Sequence, residues 1–195
     1  MFFIVAILLG VVTVPLAGGQ IRRLGYIQFR WPGALIGALG LQILIISILH
    51  RNETLDRPLH LVSYLLSAAF VVANLRIPGL WMIATGGLMN AVVIFANGGV
   101  MAASRSAFRI AGVHINSDRF SNSQILAHPK LAFLGDNWAI PSWLPFATTL
   151  SIGDVLIALG AIVLIHGVCG SRLFPSWLQA PGFEPVEFEP LPATS

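Results

Sequence analysis

Five apolar stretches nearly free of charge, at residues 1–17, 33–50, 59–75, 80–97 and 152–168, constrain this chain more than any other feature. A helix needs about 17–25 apolar residues to cross a hydrocarbon layer of about 30 Å. The stretches approach or meet that length, so the sequence predicts an all-α membrane protein, a bundle of five transmembrane helices. Of 195 residues, 56% are hydrophobic and 10% charged. A soluble domain carries about 25% charge, so this composition would leave large apolar patches in water. The predicted organisation is one transmembrane domain over 1–170, with a long, partly structured outer loop at 98–150, then a Pro-rich acidic tail at 171–195.

Charge sets an expected orientation. The first stretch lacks the positive leader of a signal peptide, and Arg22, Arg23 and Arg30 follow it instead. The positive-inside rule then places the first loop in the cytoplasm, the N-terminus outside and the C-terminal tail inside. The bias is weak: Arg22, Arg23, Arg30, Arg76 and Arg172 lie inside, against six basic residues outside, four of them in the long loop. Proline marks boundaries, with Pro32 and Pro58 expected to open helices and Arg76-Ile77-Pro78-Gly79 to turn one helix back on the next. Trp31, Trp81, Trp143 and Trp177 fall near span ends, where aromatic belts form.

Within the long loop, Ser104 is expected to cap a short helix over 105–111 that Gly112 ends. A polar stretch at 116–124 follows. Residues 131–145 then return to apolar and aromatic character and are expected to fold back over the outer mouth. Ser151-Ile152-Gly153-Asp154 reads as a capping box that starts the last helix. A second reading has Asp154 facing Asp136 across that mouth as a polar or cation site.

Polar residues inside the spans are few. Gln42, Ser67 and Asn90 sit at similar depth, either as interhelical hydrogen-bond glue or as the lining of a polar site. No Asp, Glu, Lys or Arg lies at mid-depth, which weighs against an ion pump or channel. Gly33 and Gly37 form a G-x-x-x-G pair, and Gly87 with Ala91 and Ala69 with Ala73 are looser versions, all read as helix-packing faces. His50, His60, His114, His128 and His166 share no ligand spacing, so no metal site is expected. A single buried histidine could still hold a pigment, so whether a pigment, quinone or lipid is bound stays open. Cys169 is read as a small hydrophobe at the membrane rim. Asn52-Glu53-Thr54 matches a glycosylation pattern too permissive to weigh. No basic stripe with interleaved aromatics points to nucleic acid, and no motif marks an enzyme.

Three ordered strings, Asn97-Gly98-Gly99-Val100-Met101, Leu134-Gly135-Asp136 with Pro141, and Ser151-Ile152-Gly153-Asp154-Val155-Leu156, resemble a family of small bacterial multi-pass membrane proteins classed as a domain of unknown function. Ala102 departs from the pattern, which has proline after the Met. The resemblance implies a bacterial plasma-membrane protein with an outer-loop structure around Asn97, Gly98, Gly99, Asp136 and Asp154. It implies no activity.

The leading expectation is a non-enzymatic accessory or scaffold subunit of a larger membrane complex, with membrane lipid and other subunits as partners. The alternative is a small transporter or binding protein for a lipid, quinone or other apolar ligand, centred on Gln42, Ser67 and Asn90. A third reading, an outer-face enzyme using Asp136 and Asp154, ranks last.

Overall fold

The computed structural model describes residues 2–44, 53–112 and 123–175. Several expectations fall outside those residues: the end of the second stretch with His50, the sequon's Asn52, His114, most of the 116–124 polar stretch, and the tail from 176 with Trp177.

Helices dominate. They are α1 (Phe2–Leu16), α2 (Pro32–Leu44), α3 (Glu53–Ala73), α4 (Leu80–Ala96), α5 (Arg105–Ala111) and α6 (Ile152–Val168), with 3-10 turns at Ile21–Tyr26 and Ala132–Leu134. The chain between α4 and α6 adds two small sheets. Strands β1 (Met101–Ala102) and β2 (Ser123–Gln124) are parallel, while β3 (Trp138–Ile140) and β4 (Thr148–Leu150) are antiparallel with Trp138 opposite Leu150.

This overturns the expected five-span bundle. Among the described residues, no helix is long and apolar enough to cross a membrane. The physical reason is length. Helices α1, α4 and α6 run 15, 17 and 17 residues, and at 1.5 Å per residue even 17 residues reach only about 25 Å. Helix α3 has 21 residues, but its first turns hold Glu53, Asp56 and Arg57. It also begins before Pro58 rather than at it. The apolar stretches at 80–97 and 152–168 become helices of nearly their full length, α4 and α6, and it is that length that falls short.

Helix α6 is the hub. It shares the most extensive interface with α4 and a further one with α1, while α2 packs on α3. Close approach of α4 and α6 rests on two opposed glycine pairs. A Cβ on Gly86 would overlap the Gly153 carbonyl oxygen, and a Cβ on Gly160 would lie 2.8 Å from the Gly79 carbonyl oxygen. Seven residues separate the glycines on each strand of this antiparallel pair, two turns of helix, so both fall on the facing seam. Gly79 also sits at φ +75°, a left-handed conformation that favours glycine at the turn into α4.

The expected packing glycines do not serve this way. Among the described residues, Gly33 and Gly87 have nothing within 4 Å of an added Cβ, and Gly37 meets Leu66 at 3.7 Å.

Helices α1 and α6 run parallel and share their C-terminal ends. The Gln20 N–H donates to the Cys169 carbonyl at 2.9 Å, and the Arg172 N–H donates to the Ala17 carbonyl at 2.9 Å. These bonds satisfy carbonyls that helix ends leave unpaired. Val14, Ile165 and Cys169 form the core there, and Cys169 packs as a small buried side chain. His166, 1% exposed, bonds through Nε2 to Thr13 Oγ1 at 3.0 Å. The Thr13 hydroxyl also lies 2.6 Å from the Leu9 carbonyl of its own helix. At the start of α2, Asn74 grips Arg30: Oδ1 accepts from its N–H and Nδ2 donates to its carbonyl, both at 2.8 Å.

Candidate functional site

The sequence candidates from the loop and from α4 meet at one end of the α4–α6 pair. Helix α6 starts with the expected capping box: Ser151 Oγ accepts from the Asp154 N–H at 3.0 Å, and Asp154 Oδ2 accepts from the Ser151 N–H at 2.9 Å. Asn90 closes the network from α4. Its Nδ2 donates to Asp154 Oδ1 at 2.8 Å, and its Oδ1 accepts from Ser151 Oγ at 2.8 Å. Gly153 permits this approach, since a Cβ there would overlap the Asn90 side chain. The carboxylate also stands at the positive end of the α6 dipole.

Asp136 is the second centre. Only 4% of it is exposed. It accepts from Ser123 Oγ at 2.6 Å and from Thr149 Oγ1 at 2.9 Å. Its backbone joins β1 to the loop, with its N–H donating to the Ala102 carbonyl and its carbonyl accepting from Ser104. Burial raises its pKa above the usual 3.8, and the nearby Asp154 charge pushes the same way, while the two hydroxyl donors pull it back down.

Asn97, Gly98 and Gly99 form the exit from α4. Gly98 and Gly99 have φ of +69° and +98°, and the Gly99 N–H returns to the Ile94 carbonyl at 2.8 Å. Asn97 Oδ1 accepts from the Lys130 N–H and Nδ2 donates to the Lys130 carbonyl. That two-point grip precedes Leu131, a non-glycine residue held at φ +53°. Val93, Met101 and Ala102 fill the space beneath, with Leu126 and Leu134 packed against them. Helix α5 takes its expected form, with Ser104 Oγ accepting from the Ala107 N–H and Gly112 ending it at φ +67°.

Gln42 and Ser67 do not join this cluster. Ser67 donates to the Ser63 carbonyl of its own helix, and Gln42 lies on α2, which packs on α3. Asn90 therefore bonds to the start of α6 rather than to Gln42 or Ser67. Ser123 and Thr149 hold Asp136 and carried no sequence signal, because a lone hydroxyl in a loop looks like any solvated residue. Among the described residues, no three His, Cys, Asp or Glu side chains gather into a metal-binding set.

The loop strings that run through this end of the molecule fall inside a match to a family model covering residues 26–166. The chain belongs to DUF5317, a family of unknown function. The resemblance read from those strings is thus right about a family of unknown function, and its multi-pass character is not confirmed. Helix α1 lies before the matched residues. The chain is also 24% identical over 163 residues to an uncharacterized protein of Thermotoga maritima, spanning 83% of this chain and 86% of that protein. No solved structure matches this DUF5317 chain.

Proposed function

We propose that this protein is a non-enzymatic accessory or scaffold subunit of a larger complex at the bacterial plasma membrane. The observation that carries the reading is the apolar flank of the helices. Ile4, Leu8 and Val12 on α1, Ile36 and Ile43 on α2, and Leu88 and Phe95 on α4 are all more than half exposed. Apolar surface of this extent marks a protein or membrane contact. In this reading membrane lipid and partner subunits cover it. The polar groups of the loop end support a structural role. Asn90 and Asp154 spend their hydrogen bonds on each other and on Ser151, and Asn97 spends its own on Lys130 and Val93.

The alternative, a binding protein for a lipid, quinone or other apolar ligand, finds support at another place than the polar layer. A cleft of about 240 Å³ runs along α1, lined by Ile4, Val5, Leu8, Leu9, Val12 and Phe146. Purification from the native membrane in mild detergent, with mass spectrometry of all that accompanies the protein, separates the two. Stoichiometric protein partners support the subunit. A bare chain carrying one defined lipid or quinone supports the alternative, and a bare chain with neither sinks both.

A further inference from the structure

Five arginines converge on one end of the helix bundle. Arg22 and Arg23 lie on the 3-10 turn after α1, and Arg30 precedes α2. Arg76 sits in the turn between α3 and α4, and Arg172 follows α6. The backbone fixes them together. Arg172 bonds to Ala17, Gln20 bonds to Cys169, and Asn74 holds Arg30. Arg22, Arg30, Arg76 and Arg172 are exposed and Arg23 is half-buried. Among the described residues the acidic positions fall toward the opposite end of the fold: 53 and 56 in the first turns of α3, Asp136 and Asp154 beside the loop. The basic end therefore has no internal counter-charge among the described residues.

The same end carries an aromatic ring of residues. Tyr26, Phe29, Trp31 and Trp81 are 53%, 41%, 67% and 52% exposed. Beyond them the helix flanks turn apolar. Amphipathic aromatics between a cationic rim and an apolar wall match the layering of a lipid leaflet, from phosphate through the interface to acyl chain. A soluble acidic partner would account for the arginines and leave the aromatic ring and the apolar wall without a role.

We propose that this end is a docking surface for the phosphates of anionic lipid headgroups. Arg22, Arg30, Arg76 and Arg172 make the phosphate contacts, and Trp31 and Trp81 lie at headgroup depth. Arginine suits phosphate because its planar fork donates two parallel hydrogen bonds. The inference rests on the membrane location in the proposed function, and adds which lipid class is chosen and by which residues.

The test uses the full chain in mild non-ionic detergent. It is offered an equimolar mixture of phosphatidylglycerol and phosphatidylcholine with matched acyl chains, and retained lipid is counted by native mass spectrometry. Phosphatidylglycerol is expected to be retained preferentially. Each arginine near an anionic surface is worth roughly fivefold, so R22Q/R30Q/R76Q should lose most of the preference. R105Q/R109Q, at the opposite end, should keep it. The wild-type preference should also shrink as salt rises, a readout that needs no variant to fold. Equal retention of the two lipids by the wild type, an unchanged preference in the triple variant, or displacement of the lipid by inorganic phosphate would each overturn the proposal. Failure of the subunit reading looks different: no protein partner co-purifies while the lipid preference stands.

Discussion

Two adjacent glycines on α4 should respond in opposite directions to the same added methyl group. A Cβ on Gly86 would overlap the Gly153 carbonyl oxygen and lie 2.9 Å from Ile157 Cγ1 and 3.0 Å from Ile157 N. Reaching ordinary contact with Ile157 alone takes a retreat of about 0.5 Å, and clearing the backbone carbonyl takes more. A gap of 0.5–1 Å forfeits about a quarter to a half of each dispersion well along the opened seam. Overpacking of this kind costs about 1–3 kcal/mol. The seam also carries the Asn90 bonds to Asp154 and Ser151, each 2.8 Å, which the same retreat would stretch. We assign about 3 kcal/mol to the clash and the strained network together. Replacing glycine by alanine in a helix returns about 1 kcal/mol, leaving Gly86→Ala destabilised by about 2 kcal/mol. Gly87 has nothing among the described residues within 4 Å of the added atom, so Gly87→Ala keeps only the helix-propensity gain of about 0.5–1 kcal/mol. For a chain of this size 1 kcal/mol moves Tm by about 2–4 °C. Thermal unfolding followed by circular dichroism should show Gly86→Ala falling by about 4–8 °C and Gly87→Ala rising by about 1–4 °C. Equal shifts in one direction would refute the facing of α4 on α6.

Asn90→Ala removes one donor to Asp154 and one acceptor from Ser151, and should cost about 2–4 kcal/mol in a chemical denaturation series. Asp136→Asn tests a pH effect. Burial raises the folded pKa of Asp136 above 3.8, so the folded state holds its proton to higher pH than the unfolded state. Its ionisation then costs stability as pH rises from about 3.8 through the raised value, and that cost persists above it. The Asn variant should flatten this part of the stability profile, and an unchanged slope would contradict the assignment. Ser104→Ala strips α5 of its cap and should cost about 1 kcal/mol, read as faster amide exchange confined to residues 105–111 of α5.

The site was legible where its chemistry is local. The Ser151–Asp154 capping box and the Ser104-to-Gly112 helix each complete their bonds within a few residues, so spacing alone reveals them. Asp136 and Asn97 stood out by position in the resembling strings, yet their partners Ser123, Thr149 and Lys130 come from segments whose placement no periodicity encodes.

What the amino-acid sequence determined by itself is where helices stop and start, through Pro32, the turn at Pro78-Gly79, Gly98-Gly99 and the caps, together with an apolar content that demands cover. Stretches of this length sit at the lower limit for crossing a membrane, and the 17-residue helices they form in α4 and α6 reach only about 25 Å of the about 30 Å needed. Only the tertiary structure decided that Gly86 meets Gly153 and Gly79 meets Gly160 while Gly33, Gly37 and Gly87 stand apart. It also decided that Asn90 joins the start of α6 rather than Gln42 and Ser67. The reason is rotational phase. A helix that is apolar all round carries no amphipathic stripe to say which side faces a neighbour, so the choice falls to the fit of one surface against another across some sixty residues of intervening chain.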